Sequence, residues 1–154
     1  DAVFEHLSDL PATLRELTRV LRPGGMMYAA YGPLWPCWHG DHISGTDGLA
    51  TGYNHLLLEP EEYERYVRGG ALAGHEGHLW HEHDLFSYYR ASEYLAALED
   101  AGLERCFVGV VLEPRAEECL REHPEIRERL VGEYTEFDLI VTGMTVVYRK
   151  PLRR

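Results

Sequence analysis

The stretch Val3–Gly25, VFEHLSDLPATLRELTRVLRPGG, decides the fold. It reads as a short loop, a capped amphipathic helix and a glycine stop, and the apolar strand MMYAAY (Met26–Tyr31) follows at once. Leu10, Leu14, Leu17 and Leu21 recur at spacings of 4, 3 and 4, which lays them along one helical stripe. Asp9 or Ser8 can cap this helix, and Pro11 suits a first turn that has no N–H partner to lose. Arg22-Pro23-Gly24-Gly25 ends it: a cation on the last carbonyls, a proline that cannot continue, and glycines free to take positive φ. Met26–Tyr31 is then expected to be a fully buried strand, too uniformly apolar to be half-exposed.

Working outward, Gly32 to about Leu58 shows no regular period and holds Trp35, Trp38, His39 and His42 among prolines and glycines. Long stretches of this kind are usually functional lids or mobile segments. Pro60 opens a helix over Glu61–Arg68, and a histidine-rich stretch, GHEGHLWHEHDLFSYY, runs from Gly74 to Tyr89. Ser92 is the expected cap of a further helix that stops at Gly102, with Leu95 and Leu98 inward. Leu103–Leu112 reads as a strand, Pro114 to about Gly132 as a helix broken at Pro124, and Asp138–Arg149 as a long β-branched strand. Helix alternating with strand implies parallel crossover units at the front of the chain. The pattern leaves the relative direction of the last strands open.

At 154 residues this is one domain, residues 1–154, with an insertion at about 32–90. The net charge of −11 disfavours a nucleic-acid or anionic membrane surface, which needs clustered Lys and Arg. No apolar run approaches the ~20 residues that span a bilayer. Cys37, Cys106 and Cys119 are odd in number, show no CxxC spacing, and fit packing positions in a reduced, cytoplasmic protein.

The order "EHL, spacer, helix, LRPGG, apolar strand" resembles the second half of a class I S-adenosylmethionine-dependent methyltransferase, within the type 11 group that includes the ubiquinone and menaquinone biosynthesis enzymes. Asp1–Leu7 (DAVFEHL), Leu14–Gly25 (LRELTRVLRPGG) and Met26–Tyr31 carry the match. The resemblance implies an α/β fold, the C-terminal part of a Rossmann-like sheet. Met26–Tyr31 stands for the fifth strand, Leu103–Leu112 for the sixth, and Asp138–Arg149 for a seventh that runs antiparallel between them. It implies S-adenosylmethionine as cofactor, a small-molecule acceptor, and Asp1, Ala2 and Glu5 as cofactor contacts at the exit of a fourth strand. The family's glycine-rich turn and the acidic residue after its second strand have no counterpart in the sequence. The segment Gly69–Gly74 does not replace that turn, since it follows no strand. The chain is therefore expected to carry half of a cofactor site and to be inactive alone.

Methyl transfer from a sulfonium needs positioning and, for an oxygen or nitrogen acceptor, a base; histidine suits that role. The resemblance puts His6 first among candidates, with His42 across the cleft; the plainer reading has Glu5 and His6 orienting the next helix. Trp35, Trp38 and His39 are the expected substrate wall, or alternatively a cover over the sheet end. Some relatives bind a divalent metal through Glu-x-x-Glu-His; here Ala2 replaces the first glutamate, and only Glu5 and His6 match, with His39 and His42 able to complete a set. No metal is expected, and His75, His78, His81 and His83 read as a solvated loop, since the pattern is not HExxH. Two other readings stand beside the enzyme: an incomplete domain that forms a homodimer through an open sheet edge, and a metal-binding protein built on the histidines.

Overall fold

A computed structural model describes residues 1–69 and 81–152 of the chain. The described helices are α1 (Leu10–Val20), α2 (Asn54–Leu57), α3 (Pro60–Arg68), α4 (Ala91–Asp100), α5 (Pro114–Glu122), α6 (Pro124–Leu130) and α7 (Glu136–Ile140). The strands are β1 (Met26–Tyr31), β2 (Glu104–Leu112) and β3 (Val141–Arg149).

The leucine stripe does form α1. The Asp9 carboxylate accepts from the Ala12 N–H at 2.8 Å, which settles the cap on Asp9. Leu10 and Leu14 are fully buried, and Leu17 and Leu21 pack at the margin of the same core. At the other end the cation on the last carbonyls is Lys150, not Arg22. Its Nζ donates to Thr18 O at 2.7 Å and Leu21 O at 2.8 Å, so a residue just past β3 closes the helix. Gly24 takes φ +76° beside it and donates its N–H to Lys150 O at 2.9 Å.

The sheet order is β1-β3-β2, with β3 antiparallel to both neighbours. β1 and β2 are therefore parallel to each other, as the resemblance implied for a fifth and sixth strand with an antiparallel seventh between them. The fold is α/β. The register separates two faces. Met27, Tyr148 and Arg105 stand abreast on one, followed by Ala29, Val146 and Val108, then Tyr31, Met144 and Val110. Leu10 and Leu14 of α1 and Tyr94 and Leu98 of α4 join this face in the main core. The other face carries Tyr28, Val147 and Phe107, and Tyr28 and Phe107 are 61% and 53% exposed.

That second face corrects the expectation of a fully buried β1. Met26 and Tyr28 are exposed because, among the described residues, helices cover one face of the sheet only. Two boundaries differ as well. Asp138–Ile140, expected as the start of the last strand, end a helix instead, because Thr135 Oγ1 accepts from Asp138 N at 3.2 Å while Asp138 Oδ2 accepts from Thr135 N at 3.0 Å. This reciprocal cap overrides the β-branched run that follows it. α4 begins at Ala91, so Ser92 is inside it; Glu93 Oε2 accepts from the Arg90 N–H at 2.6 Å instead.

The insertion is more ordered than its sequence suggests. Cys37, Trp38 and Tyr53 pack with Ala116, Cys119, Leu120, Ile126, Leu130 and Leu139 in a second core. Burial pushes the Cys37 thiol up to about 12 and the Cys119 thiol up to about 11, in keeping with packing roles. Cys106 departs from that expectation: it is exposed, at an irregularity between Arg105 and Phe107 in β2.

Gly32 marks the turn from β1 into the insertion. It has φ +144°, and a Cβ there would lie 2.3 Å from Thr142 O. Gly32→Ala is expected to lower stability by about 2–4 kcal/mol through backbone strain at this crossing. Urea unfolding measures it, and an unchanged midpoint would contradict so close an approach of β1 to β3.

Candidate functional site

The site is built on the 3₁₀ turn Phe4–His6 and on the segment Leu85–Tyr88 that is bonded to it. Ser87 N donates to Glu5 O at 2.7 Å, and the single Ser87 hydroxyl hydrogen is shared between Phe4 O, at 2.8 Å from Oγ, and Leu7 O. His6 Nδ1 lies 2.5 Å from Leu85 O. A carbonyl only accepts, so this Nδ1 carries the hydrogen. These bonds hold Phe86 against the histidine ring at a centroid distance of 6.0 Å.

From the insertion come His39 and His42. His42 stacks on His6 at 5.4 Å with 28° between the planes, and His39 is 6.3 Å from His42. Phe86 also faces His42 at 6.0 Å and Trp35 at 5.0 Å, and Tyr88 meets Trp35 edge-on at 4.6 Å. The three histidines and Trp35 are half-buried, so the group is an aromatic wall with imidazoles set into it. His39 and His42 have φ +66° and +63°. A left-handed backbone at a residue other than glycine costs about 1–3 kcal/mol and persists only where its surroundings impose it.

Those surroundings are a buried polar network. Asp41 is fully buried; its Oδ1 accepts from Ile43 N at 3.1 Å and Ser44 N at 2.8 Å, and its Oδ2 from Ser44 Oγ at 2.8 Å and Tyr63 OH at 2.7 Å. Burial pushes the Asp41 carboxyl up, but the neighbouring His55 imidazole and the donors from Tyr63 and Ser44 outweigh it and hold the group below its ordinary value. His55 Nε2 donates to Trp35 O at 2.8 Å, and its Nδ1 lies 3.7 Å from Asp41 Oδ1, beyond hydrogen-bond reach. Burial pushes the His55 imidazole below its ordinary value, and Asp41 opposes that without prevailing.

Asp1 and Ala2 stand apart from this wall. Ala2 N donates to Ala30 O at 2.8 Å along the outer edge of β1. Both residues line a cleft of about 530 Å³ with Tyr31, Gly32, Val111 and Gly143 at the end of the sheet. The cleft is shallow and lies open to solvent. Glu5 does not reach this cleft. It is 3% exposed, and both carboxylate oxygens are buried without a hydrogen-bond partner.

The structure thus brings His6, His39, His42 and Trp35 together and places Asp1 and Ala2 on a neighbouring cleft. Trp38 is turned into the second core, where its Nε1 donates to Leu49 O at 2.9 Å and the Arg115 guanidinium lies 4.1 Å over its ring. Sequence reasoning missed Phe86, Asp41, Ser44, His55 and Tyr63. His75 and His78, and most of Gly69–Gly74, lie outside the described residues; His81 is in edge contact with Tyr63 at 5.0 Å, and His83 is exposed. Among the described residues no group of three or more His, Cys, Asp or Glu side chains is arranged to hold a metal ion, and no helix is long and apolar enough to cross a membrane.

An α/β sheet with an antiparallel strand between two parallel ones is thus joined to an imidazole-lined wall. Residues 1–29 match the family model described as a methyltransferase domain, the segment that carries EHL and LRPGG. In solved structures the chain is similar to an S-adenosylmethionine-dependent methyltransferase from Mesorhizobium loti, at 17% identity and a TM-score of 0.46, over 96% of this chain and 58% of that one. It is similar to a protein provisionally assigned as a sarcosine dimethylglycine methyltransferase from Galdieria sulphuraria, at 12% identity and a TM-score of 0.46, over 97% and 51%. A provisionally assigned methyltransferase from Bacillus halodurans gives 18% identity and a TM-score of 0.40, over 97% and 67%. The chain spans between half and two-thirds of the length of these proteins. No curated protein matches it.

The buried His55 makes stability depend on pH. Its pKa is lowered on folding, so below about 6.5 the unfolded chain takes up this proton first, and stability falls as pH drops toward the folded value. Asp41 is also lowered, so its contribution is lost only below about 3.9, outside that window. The thermal midpoint is expected to fall between pH 7 and pH 5, and less steeply in His55→Gln. Equal slopes in the two proteins would show that His55 is not buried neutral.

Proposed function

We propose that this chain is the C-terminal part of a class I methyltransferase that transfers the methyl of S-adenosylmethionine to a small-molecule acceptor. The observation that carries the reading is the methyltransferase-domain match over residues 1–29, on the segment that builds both the Asp1–Ala2 cleft and the His6 turn. A cytoplasmic place belongs to the same proposal, with three free cysteines in its support.

Asp1 and Ala2 would hold the cofactor from the open cleft that they line with Tyr31 and Gly32. The bound cofactor supplies an electrophilic methyl. The chain's own residues do the rest. His6 is held to Leu85 O through Nδ1, so Nε2 is the basic atom of the neutral ring and takes the acceptor's proton. His42 packs on that ring and is the second candidate for proton transfer. Trp35 and His39, with Phe86, wall the acceptor and exclude water. The insertion carrying them acts as the specificity element. Glu5 lies away from the cleft, so a direct cofactor contact is not part of this proposal.

The test uses the complete protein that contains this chain. Calorimetry with S-adenosylhomocysteine should show binding, which residues 1–154 alone should largely lack. His6→Gln should lower turnover of the acceptor about 10²–10⁴-fold with S-adenosylhomocysteine binding retained. No heat with the complete protein would overturn the reading.

One observation favours a second reading, a homodimer. Among the described residues β1 is an edge strand without a charge or proline; Ala2 bonds its edge at Ala30 only, and Met26 and Tyr28 are exposed on it. Edges lacking such protection pair with another strand, and a second copy of β1 is the proposed partner. Sedimentation of residues 1–154 should then give a concentration-dependent dimer. A monomer throughout the micromolar range would rule it out.

A further inference from the structure

We propose that Asp41 is a positioning residue, whose buried carboxylate fixes the His39–Ser44 turn and so sets His39 and His42 against His6. As a device of the acceptor site it rests on the methyl-transfer reading; as geometry it stands on the contacts alone.

A carboxylate has about four acceptor positions. Asp41 has four donors on its two oxygens, so it is saturated. Two of these donors are the backbone N–H groups of Ile43 and Ser44, which close the turn directly after His42. Ser44 relays the constraint in both directions. Its carbonyl accepts from His39 Nδ1 at 2.6 Å, and its Oγ accepts from His55 N at 3.2 Å. Tyr63 brings the hydroxyl of a buried side chain from α3, which ties the turn to a helix instead of leaving it to itself. The turn is also tight: His42 N donates to His39 O at 3.0 Å, and a Cβ on Gly40 would lie 2.2 Å from Trp35 O.

The two histidines flank Asp41 in sequence and share its left-handed turn. Their ring directions follow from that backbone. In this conformation His42 stacks on His6 at 5.4 Å. The rest of the insertion has its own anchors: Trp38 N to Leu139 O at 3.4 Å, His39 N to Gly52 O at 2.8 Å, and Tyr53 OH to Leu139 O at 3.0 Å. Loss of the Asp41 side chain therefore releases the Ile43–Ser44 side of the turn, and with it His42 and the Ser44 carbonyl that holds the His39 ring, while the His39 backbone and the second core keep their attachments.

The test is nuclear magnetic resonance of residues 1–154 with labelled histidines and labelled leucine and valine methyls. In Asp41→Ala, the His6 ring signals should lose the shift caused by stacked His42, and the His39 Nδ1 signal should move, while the Leu14 and Val146 methyl signals of the main core stay in place. Asp41→Asn keeps an oxygen for the Ile43 and Ser44 N–H groups and should restore the His6 signals. Tyr63→Phe removes a single hydroxyl and should move His39 and His42 in the same direction by a smaller amount. Wild-type ring positions in Asp41→Ala would overturn the proposal, as would equal displacement in Asp41→Asn and Asp41→Ala. Should Asp41→Ala not fold, unchanged rings in Tyr63→Phe would overturn it. S-adenosylhomocysteine binding by the complete protein, wild type and Asp41→Asn, is scored separately: its absence would remove the methyltransferase reading and leave the ring signals to decide Asp41.

Discussion

β3 is hydrogen-bonded along both edges, and the placement of nearly every other element depends on that double ladder. β1 and β2 pair with β3 and not with each other. At its end Lys150 seals the C-terminus of α1, and at its start Thr142 O receives Leu34 N at 2.9 Å as the chain leaves β1. The same strand thus ties down the helix that follows the His6 turn and the loop that carries His39 and His42. A strand antiparallel to both neighbours can do this because its two ends lie at opposite ends of β1.

The parts legible in the sequence were those with a local cause. Leucines at helical spacing, Asp9 at the cap and glycines at the stop predicted α1 to within a residue of its end. Pro124 split the later helix where a missing N–H requires it. Strand order was not legible from periodicity and entered only through the resemblance. The misplacements share one cause: composition was read without the partner. Met26–Tyr31 is uniformly apolar, yet burial depends on what lies over each face. Asp138–Ile140 has strand composition, yet the Thr135–Asp138 cap closes a helical turn first.

The site divides the same way. His6, His39, His42 and Trp35 stood out by residue type and by position after EHL and the fifth-strand motif, and they do converge. Trp38 has the same composition signal and the opposite fate, because a buried indole N–H needs a partner and finds Leu49 O. Asp41 and His55 were unreadable as a pair, since 14 positions separate them and only the folded insertion joins them. A local hint did exist: Asp41 and Ser44 are three apart between glycines, the spacing at which an aspartate side chain closes a turn on its own backbone.

The three cysteines have sorted themselves by chemistry. Cys37 and Cys119 are enclosed and held in the thiol form by burial, whereas Cys106 stands exposed at the irregularity in β2. Alkylating reagents attack the thiolate and need access to it. Residues 1–154 therefore offer one addressable attachment point, on the strand farthest across the sheet from β1. A fluorophore or spin label placed there would report on the outer strand of the sheet with Cys37 and Cys119 left in place.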